Sequence, residues 1–278
     1  MDPTDQGDAE FLAQVKRHLL RSRGLDLSGY SSSFVSRSIK KRLGRLGVVD
    51  TRHYVKTLIQ SEQETDALVK VLSINVTEFF RDEGAFEAFQ KKVLLPLLAT
   101  KLAGSSGILR IWSAGCATGQ EAYTIAICLA EELRQMNVDK LPLISILGTD
   151  LSVDAIRRAK GGMYAKEELR NVPDSILKRH FVKVGDKFVV AESVKKFTRF
   201  VNANLLEKPT LTCFDAIVCR NVMIYFSREM HEVVIANLYN ALRLDGYLMI
   251  GRTEALMGSI RGKFDVVDHE NRILKKKR

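Results

Sequence analysis

Ile108-Leu109-Arg110-Ile111-Trp112-Ser113-Ala114-Gly115-Cys116-Ala117-Thr118-Gly119-Gln120-Glu121-Ala122-Tyr123 decides the fold. A short apolar run enters a glycine-bearing turn, and an amphipathic pattern over about 121–136 follows, which reads as strand, turn and helix. The alternation continues with apolar runs at 144–147 and 215–219, a helical pattern over about 228–242, and further runs at 247–250, 264–267 and 273–274. Strands alternating with helices predict an α/β domain over 104–278, built on a parallel sheet with helices on both faces. Inside it, runs at 180–184 and 187–191 flank Gly185-Asp186 as a hairpin, and a third strand at 197–201 completes a small antiparallel insert over about 161–201.

Glycine at the turn lets the backbone approach a ligand at the carboxyl edge of the sheet, where open α/β sheets bind. The spacing, Gly115-x-x-x-Gly119, is not that of dinucleotide enzymes, and no lysine follows Gly119 as in a phosphate loop. Asp150, after the second strand, is placed to accept both hydroxyls of a ribose, or else to cap the helix beginning near Ser152. Glu121 either caps its own helix or binds an ammonium group. A nucleoside site without lysines for phosphate points to S-adenosyl-L-methionine, and so to methyl transfer.

Upstream, apolar residues over 11–72 recur at helical spacing with breaks near 24–32, 44–51 and 60–65, which predicts a small all-α domain over 1–72. Residues 73–103 connect the two domains and carry a helix with Phe86, Phe89 and Val93 on one face. With 278 residues, 46% hydrophobic and 27% charged, the chain buries a core without staples. Cys116, Cys128, Cys213 and Cys219 show no ligand spacing and the five histidines are scattered, so no metal site or disulfide framework is expected, and a reducing cytoplasm fits. Neither a membrane span nor a signal peptide is read from the chain, so no membrane insertion is expected.

The net charge of +10 is local. Residues 14–56 hold eleven basic and two acidic side chains, and residues 272–278 hold five basic and no acidic ones. A helical wheel over 33–46 puts Val35, Ile39, Leu43 and Leu46 on one face and Arg37, Lys41 and Arg45 opposite. The terminal cluster, Lys275-Lys276-Lys277-Arg278, reads as a frayed, solvated end.

Four motifs in order, Asn75-x-Thr77-x-Phe79-Phe80-Arg81, the stretch from Trp112 to Tyr123, Asp150, and Cys219-Arg220-Asn221-Val222-Met223-Ile224-Tyr225-Phe226, closely resemble the CheR family of chemoreceptor glutamate O-methyltransferases, over about residues 14–275. The resemblance implies a Rossmann-like class I S-adenosylmethionine-dependent methyltransferase domain with an N-terminal helical domain and a β insert. It also implies cofactor contacts from Asn75, Thr77, Arg81, Ala114, Gly115, Glu121, Asp150, Asn204, Leu205, Arg220 and Asn221, with Arg81 and Tyr225 at the reacting centre. Phe79, Phe80 and Trp112 are expected to pack the core. Arg37, Lys41 and Arg45 are expected to meet the glutamate-rich helical bundle of a chemoreceptor, and the protein to act as a monomer.

Two other partners fit a basic appendage less well. An RNA substrate is disfavoured because the [ND]-P-P-[FYW] run of base-amine methyltransferases is missing and aromatics do not interleave with the basic helix. A dehydrogenase is disfavoured by the glycine spacing. Two places depart from the family pattern: Gly251-Arg252-Thr253-Glu254 stands where many relatives carry Gly-His-Ser-Glu, and the hairpin loop at Gly185 is brief. The short loop predicts action without a tether to a receptor's C-terminal pentapeptide.

Overall fold

A computed structural model describes residues 3–48, 50–72, 77–103, 107–136, 143–256 and 258–278. The chain divides into two compact units, one of Met1–Ile74 with Tyr225–His231, the other of Asn75–Ile224 with Glu232–Arg278. The placement of residues 225–231 in the first unit is not legible from chain order.

In the first unit, α1 (Pro3–Arg23), α2 (Ser32–Leu46), α3 (Thr51–Gln60) and α4 (Glu62–Leu72) close on Val15, Leu19, Val35, Ile39, Leu58 and Leu68. The Ser31 hydroxyl caps α2 by accepting the Phe34 N–H, and Gly47 ends it at φ +64°, its N–H returning to the Gly44 carbonyl. Phe34, Val35, Ser38, Ile39 and Leu43 form the buried face. Leu46, expected on that face, is 43% exposed, because it is the helix's last residue and the chain turns away at Gly47. Arg42 turns inward: its guanidinium meets the Glu64 carboxylate through two bonds of 2.9 and 2.6 Å, and the Tyr54 hydroxyl donates to the same group at 2.8 Å. The Arg42 bonds hold the Glu64 carboxyl below the usual range. Residues 225–227 dock on this unit, where the Ser31 N–H donates to the Tyr225 carbonyl at 3.0 Å and the Ser227 N–H to the Gly29 carbonyl at 3.0 Å.

The second unit begins with α5 (Glu83–Phe89), a π-helical turn (Gln90–Leu94) and α6 (Leu95–Ala103), which bury Phe86, Phe89, Val93 and Leu98. There follow β1 (Ile108–Ala114), α7 (Gln120–Met136), β2 (Leu143–Asp150), α8 (Val153–Gly161), β3 (Met163–Ala165), α9 (Asp174–His180), β4 (Phe181–Val184), β5 (Lys187–Val190), α10 (Glu192–Lys195) and β6 (Thr198–Asn202). The unit ends with β7 (Phe214–Cys219), the part of α11 (Arg228–Ala241) from Glu232 onward, β8 (Leu242–Ile250), β9 (Phe264–Asp268) and β10 (Ile273–Lys276). The large sheet has the order β6-β2-β1-β7-β8-β10-β9. Its first five strands pair in parallel, whereas β10 runs antiparallel to both β8 and β9. The link from β9 to β10 is too short for a crossover and makes a hairpin.

Two expectations are corrected here. The strand expected to complete the antiparallel insert, at 197–201, is β6, which pairs in parallel with β2 at the edge of the large sheet. The insert's third strand is β3, in the order β3-β5-β4. Gly148 explains why β6 seats on β2, since a Cβ there would stand 2.6 Å from the Phe200 ring. The basic C-terminal cluster is also not frayed. Lys275 and Lys276 belong to β10, and Lys276 is buried, its ammonium donating to the Tyr239 and Leu242 carbonyls at 2.8 Å each and lying 4.0 Å from the Tyr239 ring centroid. The lysine closes the last turn of α11. Among the described residues no helix is long and apolar enough to cross a membrane.

β1 lies between β2 and β7. Strand order therefore reverses there, and the carboxyl ends of the three strands frame the crevice in which open α/β sheets bind ligands.

Candidate active site

The crevice is built from three strand ends: Ala114 closes β1, Asp150 closes β2 and Cys219 closes β7. After Ala114 the chain turns sharply, with the N–H groups of Gly115 and Cys116 both donating to the Thr149 carbonyl at 2.8 Å. Gly115 has φ +79°, and a Cβ on it would lie 2.5 Å from Val222 Cγ2. Gly119, at φ +97°, is as tightly enclosed: a Cβ would meet Ala159 Cβ at 2.9 Å. Both positions require glycine for conformation and for space. The Tyr164 hydroxyl, on β3, donates to the Thr118 carbonyl at 2.7 Å and braces the turn from outside.

Asp150 does not cap α8, since Ser152 does so by accepting the Ala155 N–H. Its Oδ2 accepts the Ala117 N–H at 2.8 Å and its Oδ1 the Ser152 N–H at 2.9 Å. Burial raises the carboxyl above its ordinary value against those bonds. Each oxygen retains a lone pair, enough to receive two ligand hydroxyls. Asn202 fixes the same strand end by donating to the Asp150 and Leu151 carbonyls at 2.9 and 2.8 Å. Sequence reasoning passed over this asparagine.

Glu121 stands in the first turn of α7 and accepts the Ser113 hydroxyl at 2.8 Å. Burial pushes its carboxyl up to about 7, opposed by the Arg220 charge and the Ser113 bond, reinforced by Glu254 and opposed again by Arg81. The group sits at its ionisation threshold near neutrality, and a ligand ammonium would tip it fully to carboxylate. Arg220 is an internal tie: its Nη1 donates to the Arg81 carbonyl at 3.1 Å and its Nη2 to Asp82 Oδ2 at 2.5 Å, with the guanidinium over the Phe86 ring at 5.3 Å. Asn221 holds φ +59°, and its side-chain Oδ1 is buried with no hydrogen-bond partner among the described residues.

Of the upstream motif, Asn75 lies outside the described residues. Thr77 and Arg81 flank a well-anchored stretch. Phe79 packs edge-on against Tyr164 and Phe181, the Phe80 N–H donates to Thr124 Oγ1 at 3.1 Å, and Glu78 receives Arg170 and the Asn171 amide. Asn204 accepts the Leu206 N–H at 3.0 Å, and Leu205 is buried, its carbonyl taking the Asn237 amide at 3.0 Å. Trp112 is a packing residue that bonds Thr149 Oγ1 and lies on Phe214. Tyr225 falls in the first unit, its ring 4.9 Å from that of Phe34. Arg37, Lys41 and Arg45 are exposed on α2. Arg252 bonds Asn271 Oδ1 at 3.0 Å.

The crevice fits S-adenosylmethionine by its donor set: a carboxylate for a ribose, a buried carboxylate for an ammonium, an orphaned amide oxygen, and no lysine in the glycine turn to pair with phosphate. Fold and site together define an S-adenosylmethionine-dependent methyltransferase. Residues 75–273 match the family model described as CheR methyltransferase, SAM binding domain, and residues 10–73 match CheR methyltransferase, all-alpha domain. A chemotaxis protein methyltransferase of Borreliella burgdorferi is 32% identical over 254 residues, 89% of each chain. One from Escherichia coli (strain K12) is 31% identical over 256 residues, 89% of this chain and 84% of that one. An uncharacterized 104.1 kDa protein of Rhodobacter capsulatus, in the hypE 3′ region, is 33% identical over 265 residues, and there the chain spans only 27% of the relative's length. The chain belongs to the CheR methyltransferase family.

Proposed function

We propose that the protein transfers the methyl group of S-adenosyl-L-methionine to glutamate side chains on the cytoplasmic helical bundle of a chemoreceptor, leaving glutamyl methyl esters and S-adenosyl-L-homocysteine. The observation that carries this reading is the Glu121 carboxylate buried at the crevice on Ser113, within reach of the Arg220 and Arg81 charges. Glu121 is a buried carboxylate suited to an amino-acid ammonium, and Arg81, whose charge acts on it, is a guanidinium suited to a second, incoming carboxylate.

A glutamate nucleophile fits a site built this way. With an unperturbed pKa near about 4.3 it is already ionised at neutrality, and no general base has to create it. The bound cofactor supplies an electrophilic methyl on a sulfonium. Such a methyl would be taken by an oxygen of the substrate carboxylate, with the C–S electron pair left on sulfur, giving a neutral ester and a neutral thioether. Because charge is neutralised in the step, exclusion of water and in-line placement contribute most of the acceleration. Asp150 receives the ribose, Ala114, Gly115, Asn75 and Thr77 border the cofactor, and Asn204 and Leu205 take the adenine side. Arg220 and Asn221 shape the crevice, Arg81 orients the substrate carboxylate, and Tyr225 aligns the reacting groups. The exposed cations Arg37, Lys41 and Arg45 meet the acidic receptor surface. The protein works as a cytoplasmic monomer and without a C-terminal pentapeptide tether.

Calorimetry with S-adenosylhomocysteine, followed by methyl-ester detection on an acidic receptor fragment with total RNA as comparator, tests this. Methyl esters on the fragment and none on RNA are expected. Label on RNA would replace the glutamate reading with the nucleic-acid one.

A further inference from the structure

Glu254 lies outside every motif assigned to the site, yet it is 4% exposed and accepts four backbone N–H groups. Its Oε2 takes the Gly251 N–H at 2.6 Å and the Asn221 N–H at 3.1 Å, and its Oε1 takes those of Val222 and Met223 at 3.0 and 2.8 Å. Three of these donors belong to the loop that leaves β7 at the strand-order reversal. We propose that Glu254 is the positioning residue of the methyl-transfer site, holding the loop 220–223 so that Val222 closes on Gly115 and the Asn221 amide oxygen is kept for a donor group of the bound cofactor.

The geometry requires such a device. Asn221 holds φ +59°, a left-handed conformation that asparagine tolerates but does not prefer. Successive N–H groups pointing into one place form a concavity that needs an anion at its centre. Glu254 is that anion, and with four charge-assisted bonds it over-determines the strained turn. Space is matched to it: a Cβ on Gly251 would lie 2.6 Å from Glu254 Oε2 and 3.0 Å from the Asn221 nitrogen. The loop's outer side is just as close, since Val222 leaves no room for a Cβ on Gly115. One carboxylate thus sets the distance between the turns after β1 and β7. The result is a buried Asn221 Oδ1 with no hydrogen-bond partner among the described residues, a cost tolerated when a ligand N–H or O–H completes the bond. The negative charge of Glu254 also acts on Glu121, whose carboxyl it helps to push up.

This inference rests on the crevice being the cofactor site, and the experiment separates the two. Wild type, Glu254→Gln and Glu254→Asp are compared in S-adenosylhomocysteine binding from pH 5.5 to 8.5 and in steady-state methylation of a receptor fragment. Gln brings an NH2 against the converging donors and removes the charge. It is expected to lower kcat at least 50-fold with the KM for the fragment within threefold, and to move the midpoint of the pH dependence of binding downward. Asp keeps the charge and is expected to recover part of kcat and the wild-type midpoint. In folded wild type without ligand, the amides of Asn221, Val222 and Met223 are expected to exchange at least 100-fold slower than unprotected amides, a readout independent of how the variants fold. Wild-type kcat and midpoint in Glu254→Gln, or unprotected amides in wild type, would overturn the proposal. Absence of S-adenosylhomocysteine binding by the wild type would instead overturn the reading of the crevice.

Discussion

Arg220 reaches from the end of β7 to Asp82, Nη2 to Oδ2 at 2.5 Å, while its Nη1 holds the Arg81 carbonyl at 3.1 Å. The loop after one strand therefore grips the segment that carries Arg81. Asp82→Asn keeps the left-handed backbone at φ +58° accessible but leaves a buried guanidinium without its carboxylate. Turnover is expected to fall at least tenfold, about 1.4 kcal/mol of transition-state stabilisation, with S-adenosylhomocysteine affinity changed less than threefold. Arg220→Lys should behave alike, because one ammonium does not reproduce the planar fork. Full turnover in both variants, read by steady-state kinetics, would remove the tie from the mechanism.

Glu121 makes the site pH-dependent. Its folded-state value of about 7 lies above the ordinary glutamate value of 4.5, so folding favours the protonated form. The stabilisation this group gives the ligand-free protein is complete below about pH 4.5 and is lost as pH rises through 7, on the order of 3 kcal/mol in all. Ligand binding is expected to have the opposite sign, since on the proposed reading the ligand's ammonium pairs with the Glu121 carboxylate. S-adenosylhomocysteine affinity is expected to fall about tenfold per pH unit below 7. Glu121→Gln should raise the ligand-free thermal midpoint at pH 8 while weakening S-adenosylhomocysteine at least tenfold. Calorimetric affinity that stays flat between pH 5.5 and 8 contradicts the assignment.

Gly115→Ala meets both a φ of +79° and the Val222 methyl at 2.5 Å. Destabilisation of about 1–3 kcal/mol is expected, with S-adenosylhomocysteine binding lost or nearly so. Adding Val222→Ala removes the collision and not the backbone strain, so partial recovery is the expected result. Chemical denaturation and calorimetry read both.

Reversing the charges at Arg37, Lys41 and Arg45, all exposed on α2, is expected to raise the KM for an acidic helical receptor fragment at least tenfold and leave S-adenosylhomocysteine affinity unchanged. The effect should shrink at high salt. A KM unchanged by the triple reversal places the receptor elsewhere.

Lys276→Met keeps most of the side-chain volume but removes the bonds to the Tyr239 carbonyl in the last turn of α11 and to the Leu242 carbonyl that follows it. A loss of about 1–3 kcal/mol in unfolding free energy is expected, without change in cofactor affinity. A solvated terminal lysine would show no change at all.

Much of the catalytic unit was legible because its signals are local. The period of the apolar residues and the glycine turn at 115–119 specify strand, turn and helix through neighbours in sequence. The site residues at the ends of β1, β2 and β7 could be ordered along the chain for the same reason. Where pairing is long-range, local signals fail. Phe200 sits in a run that alternates like any edge strand, and only the empty space at Gly148 on a distant strand shows that β6 joins the large sheet. Lys276 reads as a solvated cation until the end of α11 is seen to offer it two carbonyls.

By itself, then, the sequence determined an all-α segment followed by an α/β sheet, a glycine turn at a strand end with no phosphate-binding lysine after it, and a cationic helix face. Each is written in spacing and residue chemistry within a few turns of chain. Tertiary structure alone decided that Arg220 is a tie to Asp82, that residues 225–231 pack with the helical unit, and that Glu254 gathers four N–H groups from two loops. Hydrogen-bond partners separated by 30 residues or more meet through packing, and a carboxylate's role is set by which donors the fold brings to it.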